Sequence, residues 1–324
     1  MHSAKTKILG IIIGCLFYCS ASYGQAMDGG ADFFGPLGMR RSDFLIDISN
    51  SYRSPSSHSQ DFNKVSVWQN RGDFSYTTGK DTEGGFSARA GRLHFATDSK
   101  AFIDYYDYRL GTKLRTKKEN GDVVGGSIQV GSSSDKPFHS LSEVSYNVTF
   151  SFVNNVSEKS RVSYFINMSN TRSFMSYLPL PGVAYTYAPK MGTSYTIGIP
   201  FFMIRQPLTD KLSLFAVAVI PVMTRATLNY QIAGPFSIFA GYDFSQQVYF
   251  RQARQEKSDR FFYDEMKGFL GFKFPIFKYL MATTDFGWAF RRSTFETKSY
   301  FQSKKNKINL EDSLYGSLQL TAFF

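Results

Sequence analysis

At 324 residues the chain is long enough for two soluble domains, but 33 Phe and 20 Tyr give an aromatic share of 17%, which is high for any soluble domain. Mean hydropathy is -0.24, and past residue 20 no apolar run approaches the ~20 residues of a membrane helix, which excludes a helical membrane protein. The formal charge of +11 is compatible with nucleic acid, yet an exported chain meets lipopolysaccharide phosphates and anionic solutes first.

The chain opens with Lys5 and Lys7, the apolar run Ile8 to Phe17, and the small residues around Ser20 to Ala26. This pattern predicts a secretory signal peptide over 1–24, cleaved after Gly24. A lipoprotein signal with Cys15 lipidated is the alternative. Both cysteines, Cys15 and Cys19, fall inside the leader, so the mature chain has none, a safe composition for the oxidising periplasm. Residues 25–63 read as a periplasmic lead-in or plug segment. Within them Phe44, Ile46, Ile48 and Tyr52 share one face opposite Asp43 and Asp47, so Arg40 to Tyr52 is either a strand or part of the plug.

From residue 64 onward the pattern is strand after strand. In Leu141 to Asn154, Val144, Tyr146, Val148, Phe150 and Phe152 alternate with Glu143, Ser145, Asn147, Thr149 and Ser151. Apolar residues outward and small polar residues inward are the signature of a transmembrane antiparallel β-barrel, which hydropathy scans miss because the two faces average out. Runs of this kind occupy 64–77, 84–96, 101–114, 122–132, 141–154, 161–172, 183–189, 194–204, 211–222, 226–233, 236–250, 262–274, 279–295 and 312–324. The prediction is an all-β barrel over 64–324 with about fourteen strands, within a range of 12 to 16, since bacterial barrels have even strand numbers and both termini in the periplasm.

The last run, Asp312 to Phe324, resembles the closing strand of a Gram-negative outer-membrane barrel: Leu314, Gly316, Leu318, Leu320, Ala322 and Phe324 share a face and the chain stops on an aromatic pair. In that class the segment is read by the barrel-assembly machinery, which makes Tyr315, Gly316, Leu318, Leu320 and Phe324 the predicted assembly signal. Counting back from a periplasmic Phe324 puts Gln252 to Phe261 and Thr297 to Glu311 outside the cell. It puts Ala233 to Phe236 and Pro275 to Lys278 inside. The same counting puts Ser173 to Gly182 inside, although that segment is not short.

Tyr177-Leu178-Pro179-Leu180-Pro181-Gly182-Val183-Ala184-Tyr185-Thr186-Tyr187, then Gly198-Ile199-Pro200-Phe201 and Arg260-Phe261-Phe262-Tyr263-Asp264-Glu265, resemble an uncharacterised family of Gram-negative outer-membrane β-barrel proteins. The resemblance covers roughly the second half of the chain and implies fold and outer-membrane location only.

No constellation predicts an enzyme. His139-Ser140 lacks the context of an outer-membrane lipase and reads as a solvated turn, and His58 and His94 have no partner at metal-ligand spacing. Asp264 and Glu265 are adjacent on a strand and point to opposite faces, so they cannot flank one glycosidic bond. Cofactors are predicted to be none. Asp243, Arg251, Glu265, Lys267, Lys273, Asp285 and Arg291 are candidate lumen charges. Three basic clusters are predicted at the extracellular rim: Lys113, Arg115, Lys117 and Lys118; Arg251, Arg254, Lys257 and Arg260; and Arg291, Arg292, Lys298, Lys304, Lys305 and Lys307. There they would meet lipopolysaccharide phosphate. The function that follows is a passive pore or carrier for small solutes with a modest anion preference. The alternative is a non-conducting structural barrel that holds surface polysaccharide. Outer-membrane lipid, lipopolysaccharide and the assembly machinery are the expected partners, and nucleic acid is not.

Overall fold

The computed structural model describes residues 44–57, 64–79, 81–97, 102–220, 222–254 and 256–324. The predicted leader at 1–24, Cys15 and most of the predicted lead-in lie outside them. Strands β1 (Phe44–Ser56), β2 (Val65–Thr78), β3 (Thr82–Ala96), β4 (Tyr105–Lys117), β5 (Val123–Ser134), β6 (Val144–Asn155), β7 (Ser160–Ser169) and β8 (Leu180–Tyr187) follow one another as hairpins. They continue through β9 (Ser194–Ile199), β10 (Phe201–Pro207), β11 (Leu212–Val219), β12 (Met223–Ala233), β13 (Phe236–Tyr249), β14 (Arg260–Phe277), β15 (Leu280–Thr297), β16 (Lys305–Leu310) and β17 (Ser313–Phe323).

All of these belong to one antiparallel sheet that closes when β17 pairs with β1. At the seam Phe44 and Phe324 exchange backbone hydrogen bonds of 3.3 and 3.1 Å. Closure leaves no unpaired edge, the condition for a sheet to cross a bilayer. β15 pairs with β17 along 280–289 and with β16 along 292–296, so β16 and β17 are two stretches of one wall strand and the barrel has 16 strands. The alternation carries through the register: Leu318 and Leu320 face out beside Ile48 and Asn50, while Ser317, Gln319 and Thr321 face in beside Asp47, Ser49 and Ser51. With its apolar outer surface and closed ladder, the protein is an outer-membrane β-barrel.

The 16 strands lie within the expected range of 12 to 16, and two local differences separate them from its central value of fourteen. Residues 44–56 form a wall strand between β17 and β2, so the barrel starts at Phe44, and the plug reading of that stretch falls. The run 194–204 is two strands, β9 and β10, paired antiparallel around Pro200. Proline has no N–H to give the ladder and so marks the break. That unseen turn reverses the direction of every strand before it. The segment 170–179 therefore lies at the same end as 135–143, 250–259 and 298–304, which removes the anomaly of a long inner loop. It also moves Lys113, Arg115, Lys117 and Lys118, at the end of β4, to the end of the barrel that holds Phe44 and Phe324. By the rule of short periplasmic turns and long outer loops, that terminus end is periplasmic.

The wall is uneven. β14 and β15 have 18 residues each and β13 has 14, whereas β8, β9, β10 and β11 have 8, 6, 7 and 8. Above the Met223–Ser245 pair, β13 leaves β12. Its end crosses the lumen to an isolated bridge between Phe250 and Ser134 of β5.

Candidate functional site

Midway along the lumen lies a cavity of about 130 Å³ lined by Ser49, Ser51, Gln69, Arg71, Asp107, Met223, Arg225, Asp243, Ser245, Gln247, Lys267, Phe269, Asp285, Tyr315 and Ser317, among others. The lining comes from β1–β4, β12–β15 and β17, and the charges are arranged as two networks. On one side Arg89 Nε donates to Asp73 at 2.6 Å and Arg109 Nε to Asp107 at 2.7 Å; Arg71 also bonds Asp73. On the other, Arg53 grips Glu265 with two bonds of 2.8 and 2.6 Å, and the Tyr263 hydroxyl donates to the same carboxylate at 2.6 Å. Arg292 Nε and Lys267 Nζ each stand 3.7 Å from Glu265, and Lys267 reaches Asp243 at 3.1 Å. Glu265 is fully buried, so its charge is tolerated only because cations surround it on three sides. Tyr315 lies under both Arg53 and Lys267, 5.2 and 4.9 Å from its ring centre, a cation–π arrangement.

Toward the loop end the interior turns apolar. Val65, Val67, Leu93, Phe95, Tyr105, Tyr249, Phe261, Tyr263, Ile308 and Leu310 form one buried cluster. Strands on opposite sides of the lumen meet there: Tyr105 of β4 stacks on Phe261 of β14 with ring centres 4.2 Å apart, and Gln247 of β13 donates to Gln69 of β2 at 3.1 Å. The loops tie the seal down. Phe250 N donates to Ser133 O at 2.7 Å, Gln252 N to Asp135 at 2.8 Å, and Arg254 to Glu143 at 2.8 Å. Arg260 Nε donates to Asn170 O at 2.8 Å, and Tyr300 N to Ser173 O at 2.8 Å. The described residues thus close the barrel at its loop end.

Near the terminus end the inward positions are mostly small and polar, and the charges there are mostly basic. By register Lys113, Arg115, Arg161, Arg205 and Lys273 point inward, with Glu83 and Asp47 as the acids at that level. Glu83 lies 3.5 Å from Arg115.

Of the predicted lumen charges, Asp243, Lys267 and Asp285 line the cavity, Glu265 is in the network beside it, and Lys273 lies below. Arg251 is at the top of β13, bonded to Glu296 at 2.7 Å. Arg291 is corrected: β15 carries an extra residue against Asp264–Met266, Arg291 takes the left-handed backbone (φ 48°) that such a bulge uses, and its side chain is exposed. The inward arginine is Arg292, 1% exposed. Among the predicted rim residues, Lys257 and Lys298 are exposed on the loops and Lys307 on β16. Lys305 bridges Asp259 and Glu256 at 3.0 and 3.1 Å. Lys304 lies over the Phe295 ring at 4.1 Å. Arg254 and Arg260 are buried among loop carbonyls and rings, which removes them from the predicted solvent-facing set. Of the predicted assembly residues, Leu318 faces the bilayer and Tyr315 faces the lumen; Gly316 and Leu320 share the outward register of Leu318. Phe324 is exposed at the terminus.

The network members Arg53, Arg71, Asp73, Arg89, Asp107 and Arg109 escape a sequence reading that follows loops and the last four strands. The signal was present: each is a charge on the inward phase of a strand whose other phase is mostly apolar. His139 neighbours Gln252, and His94 bonds Asp104 at 2.6 Å. Among the described residues no three metal-ligating side chains gather.

No family model matches the sequence, and no curated protein does. Solved structures share the barrel shape. A deletion mutant of the TodX monoaromatic hydrocarbon channel aligns over 91% of this chain and 92% of its own, with a TM-score of 0.45 and 9% identity. An outer-membrane channel from Pseudomonas putida F1 aligns over 88% and 97%, with a TM-score of 0.38 and 9% identity. OccK7 from Pseudomonas aeruginosa aligns over 88% and 99%, with a TM-score of 0.36 and 10% identity. Likeness at this level concerns the barrel class alone, and the strand number and closure rest on the register.

Proposed function

We propose that this outer-membrane barrel is a passage for small solutes, held closed at its loop end and selective for anions at its terminus end. The observation that carries the reading is the inward basic set Lys113, Arg115, Arg161, Arg205 and Lys273 around a small-polar interior, below a polar cavity of about 130 Å³. An excess of fixed positive charge in a low-dielectric tube raises the local anion concentration. Charge inside the tube supports the anion preference better than charge on the outer loops, because most of the first basic cluster's inward residues stand here and the buried arginines of the second are committed to loop contacts. Lipopolysaccharide contact through Lys257, Lys298 and Lys307 is part of the same proposal.

The test is conductance in a planar bilayer under a salt gradient. Wild-type protein opens rarely, and Arg254→Ala, which breaks the tie to Glu143, opens severalfold more often. The open state favours anions, less so at high salt, where the Debye length shrinks below ~8 Å. Cation preference overturns the vestibule reading. The aromatic seal favours a second reading, a non-conducting structural barrel, and an Arg254→Ala protein that inserts but never conducts decides for it.

A further inference from the structure

The low wall is shorter than the apolar band of a typical outer-membrane barrel. β9 has six residues, which at ~3.3 Å each and a tilt of about 40° rise ~15 Å, against an apolar band of about 25 Å in outer-membrane barrels. Its upper rim is apolar where a turn in water would carry Gly, Asn, Asp or Ser: Ile199 is 71% exposed and Ile220 70%. A rim of this composition, on strands this short, ends inside the hydrocarbon of the outer leaflet.

The upper part of the same wall's inner face is apolar as well, against the rule that lumen-facing positions are polar. Phe201, Val217, Val219 and Met223 form a buried cluster on which Met203 and Phe174 pack. Arg205 and Arg225 point inward just below it; Arg225 lies over the Phe269 ring at 5.3 Å, opposite Asp243 of β13, whose carboxylate Lys267 reaches at 3.1 Å. Met223 belongs to the cluster and also lines the polar cavity, next to Arg225. An apolar track therefore runs from the hydrocarbon, over the rim, to a cationic group at a polar cavity.

We propose that the low wall is a lateral binding site for a single-chain anionic amphiphile. The molecule enters from the outer leaflet over the Ile199–Phe201 turn, lays its alkyl chain on Phe201, Val217 and Val219, and brings its head group to Arg225. Phe174, which reaches down from the 170–179 loop, occupies the apolar track now and is the side chain that the alkyl chain displaces.

The experiment uses the full barrel in lipid nanodiscs and dansyl-undecanoate as the probe, without conductance, so its outcome is separate from that of the pore reading. Saturable binding is expected. Phe174→Ala tightens it severalfold, and Met203→Gln weakens it roughly tenfold by placing an amide on the track. Laurate competes better than dodecanol, and Arg225→Gln removes that difference. A second measurement does not depend on the variants binding: with Trp68 and Trp288 changed to Phe, Ile199→Trp is quenched by lipids brominated on their acyl chains. Absence of saturable binding, equal competition by dodecanol and laurate in the wild type, or an unquenched Trp at 199 each overturns the proposal.

Discussion

The tall side of the barrel, β13 to β15 with β1 to β4, carries ion pairs on its inward positions and closes over them with aromatic rings. The low side, β8 to β11, carries apolar groups in its upper part and small polar groups with one arginine below them, and its strands are short. Both sides obey the same two-residue alternation on their outer face, where Phe286 and Trp288 on one side match Ile197 and Phe202 on the other. The difference lies in what each inward face must do. Strands of 18 residues rise beyond the bilayer, where opposite walls approach and fill the space between them with Tyr105, Phe261 and Tyr263. Below that seal water is scarce, so charges such as Glu265 persist only as members of networks. The low wall, with strands of 8, 6, 7 and 8 residues, has too little backbone to build such a seal, and the upper part of its inner face is apolar instead.

The largest way to break the contrast is to attack the tall wall's network. Glu265→Ala leaves Arg53 and Arg292, each 1% exposed, buried without their shared carboxylate, which costs about 3–5 kcal/mol. Urea unfolding followed by the shift between unheated and heated bands on gels measures it. A loss under ~1 kcal/mol would mean that water reaches these groups and that the two walls are equally wet.

A smaller effect sharpens the comparison at the rims. Ile199→Lys places a charge on the low rim and costs ~2 kcal/mol if that rim lies in hydrocarbon, because lysine on the lipid face is penalised according to depth. Phe138→Lys changes a residue that is also exposed, 58%, on the 135–143 loop, and the cost there is near zero. Equal costs in the same unfolding assay would place both rims in water.

The alternation made the outer face and most of the strands legible in the sequence, because a half-lipid, half-lumen strand has a period of 2 whatever its neighbours do. Failure came where backbone geometry changes without a change in composition. The turn through Ile199-Pro200-Phe201 is apolar and lacks the glycines and acids that mark a turn in water, so the pattern there is that of one strand where there are two, which inverts the sidedness of everything before it. The bulge at Arg291 moved the inward phase by one residue, and two adjacent arginines gave no hint of which would turn in. The seal was illegible for another reason. Tyr105 meets Phe261 only because β4 and β14 face each other across the lumen, and no local pattern encodes which strands are opposite.

The smallest expected effect concerns the terminus end, where β4, β5 and β6 are joined by a turn built on Asp122. Its carboxylate accepts from the backbone N–H of Asn155 at 3.1 Å and from the side chains of Asn120 and Asn154 at 2.8 and 3.1 Å. The Asn155 bond above all, then the two amides, outweigh desolvation and hold this carboxyl below the usual Asp value of about 3.9. A depressed folded value means that the ionised form is favoured by folding, so the turn's contribution is present at neutral pH and is lost as pH falls through that folded value. Asp122→Asn keeps the shape and removes the charge. Its unfolding midpoint should lie slightly below that of the wild type at pH 7, and the gap should narrow as pH drops below the usual carboxylate range. A gap that stays constant with pH would mean that the amides hold the turn by shape alone, with no contribution from the charge.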